Sequence, residues 1–362
     1  MIRLRQVVKR YGRQVAVDSL SMEIGHGEVC CLIGPSGCGK STTLRMINRM
    51  VEPTSGQILV NGRDVRRARP EELRRGMGYV IQGVGLFPHM TVLDNIGAVP
   101  GLLGWAKAKT RRRARELLEL LALPPDEYGG KYPRQLSGGE AQRVGVARAL
   151  AADPDILLMD EPFGALDPVT RDHLQTELAR LQQDLRKTIV FVTHDVDEAV
   201  RLGSRIALMR EGRLVQHDTP ENLLARPADG FARGFMGADR GLKRLARLYV
   251  RDFIRPAPAV GFNATPEQAR RAFLIDRRLH SLWVTEESGR LLGWMNRPAD
   301  GEAERPIETL VPVDLKEFPL APDLTLKQAL SMFIRFGVET LPVIDSHARL
   351  MGELNLSNLL DA

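Results

Sequence analysis

Apolar and polar positions alternate along the first 24 residues as they do in paired strands, and this stretch carries Lys9, Arg10, Tyr11 and Gly12. The run 29–33 is wholly apolar and reads as a strand, after which Leu44, Ile47 and Val51 recur at helical spacing. Positions 56–62 read as a strand closed by the turn pair Asn61-Gly62. Pro70, Glu71 and Glu72 open a helical stretch, and 77–81 is a buried strand ending at Gln82. Glycine and proline mark 83–89 as a loop, 91–123 has helical composition, and a strong helix at 140–152 stops at Asp153-Pro154. A strand that runs through a loop into an all-helical insert predicts a helical subdomain over about 86–152. A strand at 156–159, an amphipathic helix at 171–185, a strand at 188–192, a closing helix at 221–227 and a basic linker helix at 237–248 follow.

The last third repeats itself. Thr265-Pro266-Glu267-Gln268-Ala269 returns sixty positions later as Thr325-Leu326-Lys327-Gln328-Ala329, and Arg290-Leu291-Leu292-Gly293 returns fifty-nine later as Arg349-Leu350-Met351-Gly352. Each unit reads helix, strand, tight turn, strand, helix. The chain therefore divides into an α/β domain over 1–240, a linker over 241–252 and a paired module over 253–362, its halves at about 253–300 and 312–362.

Composition adds limits. At 362 residues and 43% hydrophobic the chain can bury more than one core. Cys30, Cys31 and Cys38 crowd one strand and the loop after it, where they cannot staple distant segments, so a reducing compartment is expected. The start, Met1-Ile2-Arg3-Leu4-Arg5, lacks a signal peptide's apolar core. No apolar run approaches the roughly 20 residues of a spanning helix, so any membrane role is expected to come through a partner. The formal charge of +6 is spread over scattered arginines without interleaved aromatics. These read as solvated helix faces, and no nucleic acid is expected among the partners.

The chemistry starts at Gly34-Pro35-Ser36-Gly37-Cys38-Gly39-Lys40-Ser41-Thr42, the phosphate-loop pattern between a strand and a helix. Glycines let backbone N–H groups converge on phosphate oxygens, Lys40 reaches the β- and γ-phosphates, and the Ser41 hydroxyl can ligate Mg²⁺. The chain is thus expected to bind a nucleoside triphosphate. Downstream, Asp160 and Glu161 end a strand, where one carboxylate can hold Mg²⁺ and the next can orient water. His194 follows another strand and could reach a γ-phosphate. Ser137, Gly138 and Gly139 open a helix as either a second anion site or an ordinary cap. Tyr11 could stack on a purine or simply serve a turn.

Taken in order, the loop at 34–42, Gln82, the segment 136–142, the strand 156–161, Ala165-Leu166-Asp167 and His194 resemble the ATP-binding subunit of an ABC transporter over about residues 1–240. The resemblance implies a P-loop ATPase core with a mixed sheet and a helical subdomain. It implies that Ser41, Gln82 and Asp160 surround Mg²⁺, that Glu161 polarises the attacking water, that His194 contacts the γ-phosphate and that Tyr11 stacks on adenine. It also implies a homodimer in which Ser137, Gly138 and Gly139 of each copy close over ATP held by the other. The repeat resembles a tandem pair of CBS modules, serving as a dimerisation element or a sensor of adenine nucleotide. For the ribose one copy offers Asn358, while the other has Ala299 at that place with Asp300 one position late.

ATPase and paired modules on one chain resemble the importer subunits for glycine betaine, proline, choline and carnitine. Such a subunit sits peripherally on the cytoplasmic face of the membrane, beneath a permease that an extracytoplasmic solute-binding protein serves. Its loop at 83–95 would receive the permease. The alternatives are an importer ATPase for another solute and a soluble ABC ATPase acting on ribosomes or DNA.

Overall fold

The computed structural model describes residues 1–83, 85–164, 166–185, 187–275, 281–297 and 310–361. They form two compact units, Met1–Ala238 and Asp239–Ala362.

In the first unit, β1 (Ile2–Tyr11) and β2 (Gln14–Ile24) form a hairpin, and β3 (Val29–Ile33) leads into the helix Lys40–Ile47. Then come β4 (Ser55–Val60), β5 (Arg63–Asp64) and β6 (Met77–Val80). Four helices, Val92–Leu102, Lys107–Leu120, Pro125–Tyr128 and Gly138–Leu150, separate β6 from β7 (Ile156–Asp160). The helix Pro168–Leu185, β8 (Thr188–Val192), the helix Val196–Leu202, β9 (Arg205–Arg210) and β10 (Arg213–Asp218) complete the sheets. The pair β9 and β10 and the helix Gly230–Phe235 had no counterpart in the sequence reading. The linker helix shortens to Arg240–Leu245, because Gly237 adopts φ +89°, a left-handed conformation that interrupts a helix.

β2-β1-β4-β5 make an antiparallel sheet, and β10-β9-β3-β8-β7-β6 make a mixed one, parallel from β9 to β6. The parallel strands are apolar on both faces. Cys31 and Ile33, Leu157 and Met159, Ile189 and Phe191 turn towards one core with the helical insert. Cys30 and Leu32, Ile156 and Leu158, Val190 and Val192 turn towards a second core shared with the antiparallel sheet and the helix Lys40–Ile47. Each such side chain contributes about 1.5–3 kcal/mol by leaving water. That explains why these strands read as unbroken apolar runs.

In the second unit two hairpins share one plan. β11 (Ala259–Gly261), β12 (Ser281–Thr285), β13 (Leu291–Asn296) and β14 (Val311–Pro312) form one sheet, β15 (Thr340–Ile344) and β16 (Leu350–Asn355) another. Each hairpin carries a register shift at the same place, between Val284 and Thr285 and between Val343 and Ile344. Each preceding helix, Pro266–Ile275 or Leu326–Phe336, opens on a threonine that accepts from a glutamine N–H three residues on. The Trp283 indole N–H donates to Glu353 Oε2 at 2.8 Å in the interior, tying one repeat to the other. Ala299 and Asp300 lie outside the described residues; Asn358 falls in the helix Leu356–Asp361, its side chain also outside them.

Gly293 and Gly352 occupy equivalent strand positions. A Cβ at Gly293 would stand 2.1 Å from the Val311 carbonyl oxygen, and one at Gly352 would stand 2.4 Å from that of Arg255. Gly352→Ala is therefore expected to lower stability by about 1–3 kcal/mol. A lower unfolding temperature of the second unit, with the first unit's transition unmoved, is the expected calorimetric result.

Candidate active site

Parallel register fixes the site. Leu32 on β3 and Asp160 on β7 both pair with Val192 on β8, and Val80 on β6 pairs with Met159. The carboxyl ends of four strands therefore meet along one edge, where ligands bind in open α/β sheets. From that edge hang the loop at 34–39, Gln82, Asp160 with Glu161, and His194. Ser36, Gly37, Gly39, Lys40, Ser41, Thr42, Gln82, Glu161 and His194, joined by Ala16, line a cavity of about 380 Å³.

The loop is held by its own backbone. Gly34 and Gly39 have φ of +143° and +101°, and a Cβ would stand 2.1 Å from the Met209 carbonyl oxygen in the first case and 2.4 Å from that of Ala16 in the second. Gly34, Pro35 and Cys38 shape the loop from behind. The Lys40 ammonium donates to the carbonyls of Gly34 at 2.7 Å and Pro35 at 2.9 Å, with Cys38 Sγ at 3.6 Å.

Asp160 is fully buried. Its Oδ1 accepts from the Ser41 hydroxyl at 2.8 Å, whereas its Oδ2 has no hydrogen-bond partner and faces the Arg45 guanidinium at 3.6 Å. Burial pushes this carboxyl above its ordinary range, against the Ser41 bond and the charge of Arg45. Mg²⁺ fits here: an unsatisfied carboxylate oxygen beside a hydroxyl supplies hard oxygen donors and leaves the other coordination positions to phosphates and water. Glu161 takes φ +51°, rare for a side-chain-bearing residue, and its N–H donates to the Val192 carbonyl at 3.0 Å. That twist turns its carboxylate to His194 Nδ1 at 3.4 Å and Gln82 Nε2 at 3.5 Å.

The ABC transporter family pattern matches residues 17–164, and the CBS domain pattern matches 314–362. The chain is 42% identical over 364 residues to the carnitine transport ATP-binding protein OpuCA of Listeria monocytogenes, covering 100% of this chain and 91% of that protein. It is 43% identical over 361 residues to the glycine betaine uptake system ATP-binding protein YehX of Escherichia coli, covering 99% of each. The chain belongs to the ATP-binding subunits of ABC transporters, in the osmoprotectant importer family. It is an ATPase. A dimeric ATP-binding cassette, MJ0796 with ADP and Pi bound, matches this ABC subunit with a TM-score of 0.56 at 33% identity, over 60% of this chain and 98% of that one.

Not every expected residue of the ABC subunit meets the cavity. Ser137, Gly138 and Gly139 start the helix Gly138–Leu150, away from the cavity's lining. Ser137 Oγ accepts from the Glu140 N–H at 3.3 Å and the Glu140 carboxylate accepts from the Ser137 N–H at 2.7 Å, an ordinary capping box. Tyr11 stands at the hairpin end of β1, 49% exposed, with Lys9 Nζ 4.8 Å from its ring. Ala165 lies outside the described residues. Two residues escaped the sequence reading. Arg45 follows Ser41 by one helical turn, a spacing that could have pointed to it. Nothing in the sequence marks Ala16.

The sign of the Asp160 shift gives a test. Its proton affinity is higher folded than unfolded, so its contribution to stability is best below the ordinary carboxylate value of about 3.9 and worsens as pH rises through the raised folded value. Asp160→Asn is expected to raise the unfolding temperature at neutral pH in chelator, with the gain shrinking on acidification.

Proposed function

We propose that this subunit energises uptake of a quaternary ammonium osmolyte by hydrolysing MgATP between two copies of the chain. The observation that carries the reading is the meeting of Lys40, Ser41, Gln82, Glu161 and His194 at one cavity, with Asp160 directly behind Ser41. The named solutes of the full-length relatives, carnitine and glycine betaine, give the chemical class.

In this reading ATP lays its phosphates along the loop amides, and Lys40 exchanges its bonds to the Gly34 and Pro35 carbonyls for bonds to phosphate oxygens. Ser41, Asp160 and the Gln82 amide oxygen would hold Mg²⁺, which neutralises charge on the β- and γ-phosphates. Glu161 orients a water on the γ-phosphorus and takes its proton, while the bond from the β-γ bridging oxygen to the γ-phosphorus breaks to leave ADP and phosphate. His194, beside Glu161, donates to a γ-phosphate oxygen. Tyr11 stacks on adenine. Ser137, Gly138 and Gly139 act on the partner copy's nucleotide: the capping box uses one lone pair of the Ser137 hydroxyl but leaves its O–H proton and the exposed helix start available.

Coupling to a membrane permease passes through the segment 83–95, which ends in the first turn of the helix Val92–Leu102. The Asn95 side chain accepts from the Phe87 N–H at 2.7 Å and donates to the carbonyls of Phe87, Met90 and Thr91 at 3.0–3.1 Å. That stiffens the loop and presents Phe87 44% exposed. An extracytoplasmic solute-binding protein supplies the permease, and the ATPase works peripherally on the cytoplasmic face; among the described residues no helix is long and apolar enough to cross a membrane. The second unit is regulatory, as a dimerisation module or a nucleotide sensor.

Reconstituted with permease and binding protein, the complex is expected to take up labelled betaine in competition with choline and carnitine. Lys40→Ala and Glu161→Gln should each lower turnover by about 10²–10⁴. Glu161→Gln should also form a dimer with ATP in sizing experiments, and a protein that stays monomeric would refute the shared site. Phe87→Ala is expected to keep nucleotide affinity while losing most uptake per ATP hydrolysed.

A further inference from the structure

His194 enters the cavity from a strand end with its side chain 70% exposed, so its placement depends on the residues that flank it. One flank, Thr193, bonds a buried carboxylate, and the other, Asp195, bonds Thr193. The Thr193 hydroxyl, 2% exposed, donates to Glu198 Oε2 at 2.6 Å and accepts from the Asp195 N–H at 3.0 Å. Asp195 Oδ1 in turn accepts from the N–H groups of Asp197 at 2.8 Å and Glu198 at 3.3 Å, capping the helix Val196–Leu202. Thr193 is also fixed to the sheet, its N–H donating to the Leu32 carbonyl at 3.2 Å.

The other carboxylate oxygen faces a second element. Glu198 Oε1 stands 3.8 Å from Arg171 Nε on the helix Pro168–Leu185, and that buried Nε has no hydrogen-bond partner. Arg171 Nη1 lies 4.0 Å from Asp195 Oδ2, and its Nη2 donates to the Leu166 carbonyl at 3.2 Å. The Arg171 N–H donates to the Asp167 carbonyl at 2.9 Å. Glu161, Gly164, Arg171, Thr193, His194, Asp195 and Glu198 all border one small void of about 40 Å³, so this cluster adjoins the reacting end of the cavity.

We propose that Glu198 is a positioning residue for His194, and that Arg171 joins the same buried pair to the turn at 166–167. A buried carboxylate of Glu198's kind is costly unless bonded. Here its hydrogen bond is spent on Thr193, the residue before the histidine, and its other oxygen faces the charge of an arginine that grips the neighbouring turn. The two segments bordering Glu161 are thereby held as one piece. A shift at the turn is passed to His194 through side chains that touch neither nucleotide nor metal. The inference rests on the reading that His194 acts in hydrolysis.

The test is a double-mutant cycle on the full-length chain, with ATP turnover, KM for ATP and thermal unfolding measured for each protein. Glu198→Ala is expected to lower kcat about tenfold with KM for ATP within about twofold, since the phosphate loop is untouched. In a His194→Ala background the same change should cost less than about twofold, because its effect runs through the missing imidazole. Thr193→Val should match Glu198→Ala, and Thr193→Ser, which keeps the hydroxyl, should stay near the parent rate. Glu198→Gln keeps an acceptor for Thr193 but loses the charge facing Arg171, so it should fall between, and it serves if the alanine variant does not fold. Equal fold-losses in both backgrounds, or an unchanged kcat, would overturn the linkage while leaving the site reading intact. A His194→Ala protein that hydrolyses ATP at the parent rate would overturn the site reading and the linkage with it.

Discussion

The site depends first on the registration of parallel strands. Asp160, Val192 and Leu32 lie in one row across β7, β8 and β3, and β6 follows through Val80 and Met159. One residue beyond that row the backbone still carries the pattern: Glu161 donates to Val192, and Thr193 donates to Leu32. Residues separated by more than a hundred positions in the chain thus arrive at the same height. A one-residue slip of β7 would turn Asp160 and Glu161 to opposite faces and undo the site. Apolar side chains on both sheet faces make such a slip costly, because it would exchange the contents of two separate cores.

This explains which parts could be read in the sequence. A doubly buried strand has few ways to look other than 29–33 or 156–159, and a phosphate loop has few ways to be built without its glycines. The strands and the residues at their ends were therefore legible. β9 and β10 were not, because the buried apolar run of β9 is only 206–209, bounded by Arg205 and Arg210, and β10 adds Arg213, Gln216, His217 and Asp218 to just two apolar residues. Ala16 reaches the cavity only because a hairpin from the other sheet approaches Gly39, a contact no local pattern encodes. Thr193, Glu198 and Arg171 illustrate a third kind of blindness. Their importance lies in a buried arrangement between two helices and a strand end, whereas in sequence each is an ordinary polar residue in a helix or at a strand's end.

Stability has been given up where function needs it. Asp160 is buried with one oxygen unbonded, Glu161 sits in a left-handed conformation, and Arg171 Nε is buried without a hydrogen bond. Each costs on the order of 1–3 kcal/mol. All three lie within the stretch from β7 to the following helix, next to the cavity, although left-handed residues such as Asn61 and Asp153 and unbonded buried atoms such as Thr110 Oγ1 stand elsewhere in the chain. Beside a cavity, polar groups held ready for charge are what preorganisation requires.

At Ser137 the cap leaves the hydroxyl proton free. The capping box with Glu140 is complete, and Glu140 also accepts from the Tyr128 hydroxyl at 2.7 Å, so the helix start is rigid without any nucleotide. This helix end does not line its own chain's cavity. In the proposed reading it would serve a second copy, whose phosphate loop would bring the γ-phosphate to Ser137. Two-fold pairing supplies both halves at once, since the same two surfaces meet twice. On that reading, hydrolysis in one cavity would loosen the contact that holds both copies together, an opening that a permease could use.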